Sequence, residues 1–563
     1  MKKVLPVLLF VGIFTLISCG KIDANQVKLD EAHEALSLPL SDDEMKQVIR
    51  SFRVSSLGLY ETTISWTSNN PDVVRIEDLD ESTKTYFVNI IRPENGMESI
   101  KVIVTAELAI TSDLDATKTL TKTKEFEVTV LPLGDWGIIS NDDQFDTSKP
   151  VEITFWHRMS GVYQQLLDEH IVEFQDRYPN IKVTQFQAGS TYDTLQTAVM
   201  IVLPVGGQPN LVEAYGDHVA GYNKSQAITP LNSFISHPDF GLTQADIDDF
   251  IPAFFEDGRS YDNKGSMYSM PLSKRTEALY YNKTFFDANN LIMPKNPTWD
   301  DLARLSKSIK ELPGQANSRP IGYDYEDNMF ISGSEQLGIP YASFALDGQY
   351  QLNFNNQTSI DMVKYWRDLT QEGLLTTRQV SGDVYTSDLL KNGTIFMAVS
   401  STASARNHYS AAFETAVVPA PQFDLSNKKM IQQGPNITMF KNSDKQEMIA
   451  SWLFMKFLTE AEQTAEWSTR FSYLPVRYSA YNTAAYQSWK NSVQPRTIEK
   501  VFLDVIEMVK IEVTSLFATP TFYKSSICQN IIRNLVVEVI RLPILSDEEI
   551  ERLFQEAYHL ATQ

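Results

Sequence analysis

Two groups of acidic residues could in principle do acid–base chemistry. Asp300-Asp301 and Asp547-Glu548-Glu549 could supply the acid and the base of a glycosidase, because glycoside hydrolysis needs only two suitably spaced carboxylates. Each group follows a residue that commonly starts a helix, Thr298 in one case and Ser546 in the other, and negative charge is favoured at a helix start. We therefore interpret both as helix starts and keep a glycosidase as an alternative.

Other arrangements that catalysis or cofactor binding requires are missing from the sequence. It contains no Gly-x-Ser-x-Gly elbow, His-Glu-x-x-His pair, phosphate-binding loop or Gly-x-Gly-x-x-Gly turn. The seven histidines are scattered without a helical partner at ligand spacing, so neither a metal nor a cofactor is predicted. His157, beside Trp156, is the one histidine we expect near a site. The pattern favours a binding protein over an enzyme.

The amino terminus predicts export and lipid attachment. Lys2 and Lys3 precede an apolar run over residues 4–17, which is shorter than the roughly 20 residues that span a bilayer. The sequence LISC at residues 16–19 resembles a lipobox. This resemblance implies a signal peptide over residues 1–18, lipidation of Cys19, and a protein anchored on the extracytoplasmic face of the cell membrane.

Composition limits the remaining possibilities. With Cys19 acylated, Cys528 has no partner for a disulfide, so stability must come from burial. A chain of 563 residues with 43% hydrophobic content can form two or three cores. Its net charge of −22 argues against nucleic acid and against docking on anionic lipid headgroups.

Polar segments at residues 20–26 and 133–150 are typical of linkers. Between them, several short runs alternate apolar and polar residues, at 63–67, 86–91, 100–106 and 126–131. Period-two alternation separated by turns predicts a β-sandwich over residues 27–132. The sequence ISWTSNNPDVV at 64–74 resembles the strand and turn of bacterial immunoglobulin-like surface modules.

After Pro150 the pattern changes to strand, helix, strand at residues 151–156, 163–178 and 181–186. This order within about 35 residues predicts a βαβ unit with parallel pairing. Further helices are predicted after Thr298 and over residues 444–459. We expect an α/β domain over residues 151–563.

The same region resembles the extracellular solute-binding proteins of ABC importers, especially the branch that binds sugars and glycerol phosphate. The matching segments, in chain order, are FWHRMSG at 155–161, FQDRYPNIKV at 174–183, ALYYNKTFF at 278–286 with PTWDDL at 297–302, NGTIFMA at 392–398 and YLPVR at 473–477. The resemblance implies a two-lobed periplasmic-binding-protein-like fold with a hinge. It also implies a monomer that delivers a sugar, polyol or phosphate derivative to ABC permease subunits.

The resemblance to this branch extends to individual positions of its binding site. Those that match ligand-contacting positions of the branch are Tyr192, Tyr473, Ser401 with Ser404, and Gly434, while Trp156, Arg275 and Lys524 lie beside or within matching segments. The sequence departs from the pattern of the branch at two positions. Gly216 stands where the branch has an acidic residue, and Ser525 replaces an arginine that contacts phosphate, which Lys524 beside it does not match in geometry. The second departure argues against glycerol phosphate itself, although Arg275 or Lys524 could meet another anionic group. A separate alternative is a surface adhesion or polysaccharide-tethering lipoprotein in which the immunoglobulin-like module makes the contact.

Overall fold

The computed structural model describes residues 23–48, 51–81, 83–93, 97–132, 139–203, 206–261, 265–344, 350–442, 444–541 and 545–562. The chain divides into two compact units, Met1–Gly134 and Asp135–Gln563. The predicted signal peptide and Cys19 lie outside the described residues. Every helix within those residues is too short or too polar to cross a bilayer.

The described residues of the first unit form two α-helices and two three-stranded antiparallel sheets. Its elements are α1 (Ala24–Ala35), α2 (Asp42–Met45), β1 (Phe52–Ser55), β2 (Thr63–Ser68), β3 (Val74–Ile76), β4 (Thr85–Ile90), β5 (Ile100–Thr111) and β6 (Thr119–Val130). The strand orders are β1-β4-β3 and β2-β5-β6. Inward residues of both sheets form one core, in which Trp66 packs 5.9 Å from Phe126. The predicted β-sandwich is confirmed.

The polar segment predicted as a linker at residues 20–26 is helical from Ala24 onward. The side chain of Asp23 caps α1 by accepting a hydrogen bond from the backbone N–H of Asn25. Leu29 and Ala32 bury one side of this helix in the sandwich core. So few apolar residues give α1 a weak periodic signal, which explains why the sequence pattern missed it.

The second unit contains the remaining elements. The first part has β7 (Val151–His157), α3 (Val162–Arg177), β8 (Ile181–Gln187), α4 (Tyr192–Val202), β9 (Leu211–Ala214), α5 (Gly216–Lys224), α6 (Asn232–Ile235), α7 (Gln244–Asp249), α8 (Pro252–Glu256), β10 (Ser269–Pro271), β11 (Glu277–Asn282), α9 (Lys283–Ala288), α10 (Trp299–Glu311), β12 (Ile321–Tyr323), α11 (Glu326–Gln336), β13 (Ala342–Phe344) and β14 (Tyr350–Leu352). The second part has α12 (Gln357–Gln371), β15 (Leu375–Thr377), α13 (Thr386–Lys391), β16 (Met397–Ser401), α14 (Ala405–His408), β17 (Thr415–Pro419), β18 (Met430–Gln432), β19 (Asn436–Met439), α15 (Lys445–Leu458), α16 (Ala461–Phe471), α17 (Ala484–Ser492), α18 (Ile498–Glu512), β20 (Leu516–Ala518), α19 (Ser525–Arg541) and α20 (Asp547–Thr562).

Two five-stranded sheets define two lobes. The first lobe has the strand order β10-β19-β9-β7-β8, and the second lobe has β15-β12-β16-β11-β17. Strands β7 and β8 pair in parallel across α3, with Val151 opposite Ile181, so the predicted βαβ unit is confirmed. Helix α10 begins after Thr298, whose hydroxyl and backbone N–H exchange hydrogen bonds with Asp301. Asp301 therefore caps a helix, as the sequence predicted.

Three segments connect the lobes. Residues 272–276 run from β10 to β11, residues 433–435 run from β18 to β19, and residues 519–524 run from β20 to α19. Strands β18 and β20 pair in parallel, which brings the second and third segments side by side. Arg275 and Gln433 exchange backbone hydrogen bonds, which joins the first segment to the second. These three crossings position the site.

The segment predicted as a linker at residues 133–150 is described from Ile139 onward, and this part packs on the second unit. Ile139 is 3% exposed and belongs to the core of that unit. Asp143 forms an ion pair with Lys445 at 2.8 Å, and Asp146 donates its backbone N–H to the side chain of Gln446.

Candidate binding cleft

The three crossings form the floor of a cleft of about 380 Å³. Small-molecule sites commonly have volumes of roughly 300–1,000 Å³. Three helices begin at this cleft: α4 and α5 from the first lobe, and α19, which packs in the core of the second lobe. The lining residues are Thr191, Tyr192, Asp193, Tyr215, Gly216, Asp217, His218, Asp257, Arg275, Gln432, Gln433, Gly434, Thr519, Thr521, Ser525, Ser526 and Gln529.

Two tyrosines form the aromatic wall of the cleft. The ring of Tyr192 meets the ring of Tyr215 edge to face, with centroids 4.3 Å apart. The hydroxyl of Tyr192 donates to Glu213 Oε1 at 2.9 Å, and Glu213 Oε2 accepts the backbone N–H of Arg158. Burial raises the pKa of Glu213 and that of Tyr192. The buried carboxyl group of Glu213 thus holds the Tyr192 side chain in place at the edge of the cleft.

Arg275 connects this wall to the crossings. Its guanidinium donates a hydrogen bond to the hydroxyl of Tyr215, and its backbone pairs with Gln433 in both directions. Next along the chain, Gly434 has a φ of +119°, and a Cβ there would lie 2.0 Å from the carbonyl oxygen of Ser273. Only glycine allows so close an approach of two crossing segments.

Among the described residues, four side-chain atoms that belong to residues lining this cleft are buried and have no protein partner. They are Arg275 Nε, His218 Nδ1, Gln432 Oε1 and Thr519 Oγ1. A buried polar group without a hydrogen bond costs about 1–3 kcal/mol, so native proteins rarely keep one without a solvent or ligand partner. All four belong to residues that line one cleft, which favours a site for a polar molecule.

The structure brings together three of the predicted site residues, because Tyr192, Arg275 and Gly434 all line the cleft. Lys524 is exposed and directly precedes α19, so it lies beside the lining residue Ser525. The carbonyl of Ser401 accepts hydrogen bonds from the hydroxyls of Tyr280 and Ser404 within the second lobe.

The two other predicted aromatic residues pack against protein. Tyr473 is 9% exposed and lies among the rings of Tyr163 and Trp467. Burial raises its pKa to about 12. Trp156 is half-buried, with its ring 5.7 Å from that of Phe186. His157, expected near a site, is fully buried and bonded to Gln185, so burial lowers its pKa.

Other cleft residues were not singled out as binding residues by the sequence. His218, Gln432, Thr519 and Gln529 were missed, and each lies at the end of a strand or in the first turns of a helix. In α/β folds, residues at the ends of strands and at the starts of helices often contact ligands. This tendency is the sequence signal that could have identified them. The described residues contain no cluster of three or more side chains that could hold a metal ion.

A family model described as bacterial extracellular solute-binding protein matches residues 169–494, more than half of the chain. The chain belongs to this family. A second model, described as atrophied bacterial Ig domain, matches residues 29–133. The predicted solute-binding fold and the preceding immunoglobulin-like domain are both confirmed.

Relatives and solved structures agree with the family assignment. The sn-glycerol-3-phosphate-binding periplasmic protein UgpB of Shigella flexneri is 25% identical over 349 residues, which cover 60% of this chain and 77% of that protein. UgpB from Mycobacterium tuberculosis, solved in complex with glycerophosphocholine, has a TM-score of 0.56 at 20% identity and covers 73% of this chain and 97% of its own. The cyclic alpha-maltosyl-1,6-maltose binding protein from Arthrobacter globiformis has a TM-score of 0.57 at 21% identity, with coverages of 73% and 99%. These structural likenesses show the two-lobed fold.

Proposed function

We propose that this solute-binding protein captures a small polyhydroxylated solute, a sugar, polyol or phosphate derivative of one, and delivers it to an ABC permease. The strongest support is that four residues lining one cleft each have a buried polar atom without a protein partner, namely Arg275 Nε, His218 Nδ1, Gln432 Oε1 and Thr519 Oγ1. Hydroxyl groups can donate to some of these atoms and accept from others. The Tyr192 and Tyr215 rings suit the apolar face of such a solute.

The cleft offers a solute charges of both signs, because Asp193 and Asp217 line it together with Arg275. The amino ends of α4, α5 and α19 meet at the cleft, and helix amino ends carry partial positive charge. Arg275 adds a full positive charge. The relatives named for glycerol phosphate and the structure with glycerophosphocholine support a phosphate ester, while the maltosyl-binding structure supports a neutral sugar.

We also propose that a lipid anchor holds the protein at the cell surface. Lipidation of Cys19 would anchor a monomer on the extracytoplasmic face of the membrane, with the cleft in the unit that begins at Asp135. Two acyl chains suffice for stable anchoring. The permease would be a separate polypeptide. Residues 23–132 would then separate the anchor from the solute-binding unit.

Calorimetric titration with sn-glycerol 3-phosphate, glycerophosphocholine and maltose tests this function. Thr519→Val removes a buried hydroxyl that has no protein partner, so it should not lower the melting temperature of the free protein. It should weaken binding of the preferred solute by roughly 3- to 10-fold, the scale of one hydrogen bond. Thr229→Val is the matched control, because Thr229 Oγ1 is equally buried and partnerless but does not line the cleft.

The control should bind like the wild type. Equal affinity in all three proteins would contradict the assignment of the cleft. Turnover of a glycoside by the wild type would favour an enzyme instead.

A further inference from the structure

A buried carboxyl group lies behind the cleft at the start of β11. Glu277 is 2% exposed, and its Oε1 accepts a hydrogen bond from Asn328 Nδ2 at 3.0 Å. Its Oε2 accepts the hydroxyl hydrogen of Tyr323. Both donors point at the carboxyl group. An ionised carboxylate accepts both hydrogen bonds with charge assistance, whereas a protonated carboxyl group donates to the Tyr323 hydroxyl and accepts only a weaker, neutral bond from Asn328.

Asn328 connects Glu277 to the cleft through hydrogen bonds. Its amide forms a reciprocal pair with the amide of Gln433, with Nε2 of Gln433 donating to Oδ1 of Asn328 at 2.9 Å and Nδ2 of Asn328 donating to Oε1 of Gln433 at 3.2 Å. Gln433 lines the cleft and carries the backbone pair with Arg275. Because Glu277 attracts the NH₂ end of Asn328, it sets which way both amides face.

The surroundings of Glu277 are closed and mostly uncharged. A cavity of about 10 Å³ adjoins it, close to the smallest that holds one water molecule. Asp324 and Asp327 act on Glu277 from the segment that contains α11, and Lys429 lines the cavity ahead of β18. Burial raises the pKa of Glu277 to about 7, although the hydrogen bonds from Tyr323 and Asn328 oppose this rise. The group therefore changes charge near neutral pH.

We propose that Glu277 is a positioning residue of the cleft, which through Asn328 orients the amide of Gln433 for the solute and makes solute affinity fall when Glu277 takes up a proton. The inference rests on the proposed function, because it requires a solute in the cleft. A protonated Glu277 donates to the Tyr323 hydroxyl and accepts only a neutral hydrogen bond from Asn328, which is about half as strong as the bond to the carboxylate, so it holds the Asn328 and Gln433 amides less firmly. By linkage, a solute that prefers the ordered amides binds with proton release.

Calorimetry on the full chain from pH 5.5 to pH 8.5 tests the inference. The probe is glycerophosphocholine or maltose, whichever binds, since neither solute titrates over that range. The wild-type dissociation constant should decrease roughly 3- to 10-fold from pH 6 to pH 8, the scale of one hydrogen bond. In buffers of different ionisation enthalpy, binding at pH 7 should release protons.

Three variants separate positioning from general damage. Glu277→Gln keeps the shape but cannot ionise, so it should bind at every pH with the weaker affinity that the wild type shows at low pH. Asn328→Ala keeps the ionisable group but breaks this connection to the cleft, so its weaker binding should also be independent of pH. Glu326→Gln is the control, because Glu326 is an equally buried carboxyl group that accepts the backbone N–H of Gln379 away from the cleft. It should keep the wild-type pH profile.

A measurement without solute covers the case in which a variant binds nothing. Since the pKa of Glu277 is raised from about 4.5, the unfolding free energy of the wild type relative to Glu277→Gln should fall as pH rises from about 4.5 to about 7 and then level off. A wild-type affinity that does not change with pH, or an Asn328→Ala profile equal to the wild type, would overturn the inference while leaving the proposed function intact. Absence of binding by glycerophosphocholine, maltose and sn-glycerol 3-phosphate at every pH would overturn both.

Discussion

The ammonium group of Lys274 lies 2.8 Å from Asp257 Oδ2, and both side chains are buried. Lys274 belongs to the first crossing segment, and its ammonium also donates to the carbonyl of Gly434 in the second. Asp257 accepts a further hydrogen bond from Asn436 at the start of β19. This ion pair thus joins the first lobe to two crossings directly below the cleft.

We expect Lys274→Met to lower the unfolding free energy by about 3–5 kcal/mol, because it leaves a buried carboxylate without its counter-charge. Urea titration of the variant measures the loss. Adding Asp257→Asn should recover part of it. Lys182→Met, which breaks an exposed ion pair with Glu152, should change stability little. A Lys274→Met protein as stable as the wild type would show that the ion pair does not stabilise the junction between the first lobe and the crossing segments.

Tyr473 should behave as a core residue. Its ring packs between Tyr163 and Trp467, so Tyr473→Ala should lower the unfolding free energy by about 3–5 kcal/mol. Tyr473→Phe keeps the ring and should keep the stability. Melting temperatures of the solute-free proteins test this, with solute affinity measured alongside. A stable Tyr473→Ala protein that has lost affinity would instead support the cleft position that the sequence suggested.

The boundary of the solute-binding unit can be tested by truncation. A fragment that begins at Asp135 should fold and bind like the full chain. A fragment that begins at Pro150 loses the burial of Ile139 and the ion pair between Asp143 and Lys445. The burial alone corresponds to about 1.5–3 kcal/mol. Equal unfolding midpoints for the two fragments would show that residues 135–149 contribute nothing.

Cys19→Ser should abolish labelling by a fatty-acid probe, because the only proposed acyl acceptor is removed. The variant should appear in the soluble fraction of cells, whereas the wild type stays with the membrane. Cys528→Ser is a suitable control, since Cys528 is buried in the second lobe. Continued labelling of Cys19→Ser would refute lipidation at this position.

Short-range patterns made much of the fold predictable. The period-two strands of the sandwich, the β7-α3-β8 unit and the helix start at Thr298 all depend on residues close together in sequence. Tyr192, Arg275 and Gly434 came from resemblance to a family rather than from local chemistry. A pattern along the chain could not place Thr519 against Gln432, because only the pairing of β18 with β20 brings them together.

The contacts of Glu277 are a clearer example of what local sequence patterns cannot predict. In sequence it begins an apolar strand, and nothing nearby indicates a buried ionisable group. Its partners Tyr323 and Asn328 lie 46 and 51 residues away. Burial and hydrogen bonding at such distances follow from sheet order, which single-sequence periodicity does not determine.

A thermal-shift comparison of two tryptophan variants tests most directly whether the cleft captures the solute. Ser526 lines the cleft in the first turn of α19, whereas the neighbouring Ile527 is 54% exposed and does not line it. Ser526→Trp should fill the cleft, and Ile527→Trp should leave it open. The panel is sn-glycerol 3-phosphate, glycerophosphocholine and maltose, and a solute at a hundred times its dissociation constant should add about 2.7 kcal/mol of stability. We predict that at least one of the three raises the melting temperature of the wild type and of Ile527→Trp but not of Ser526→Trp; an equal rise in Ser526→Trp, or no rise in any protein, would contradict the account.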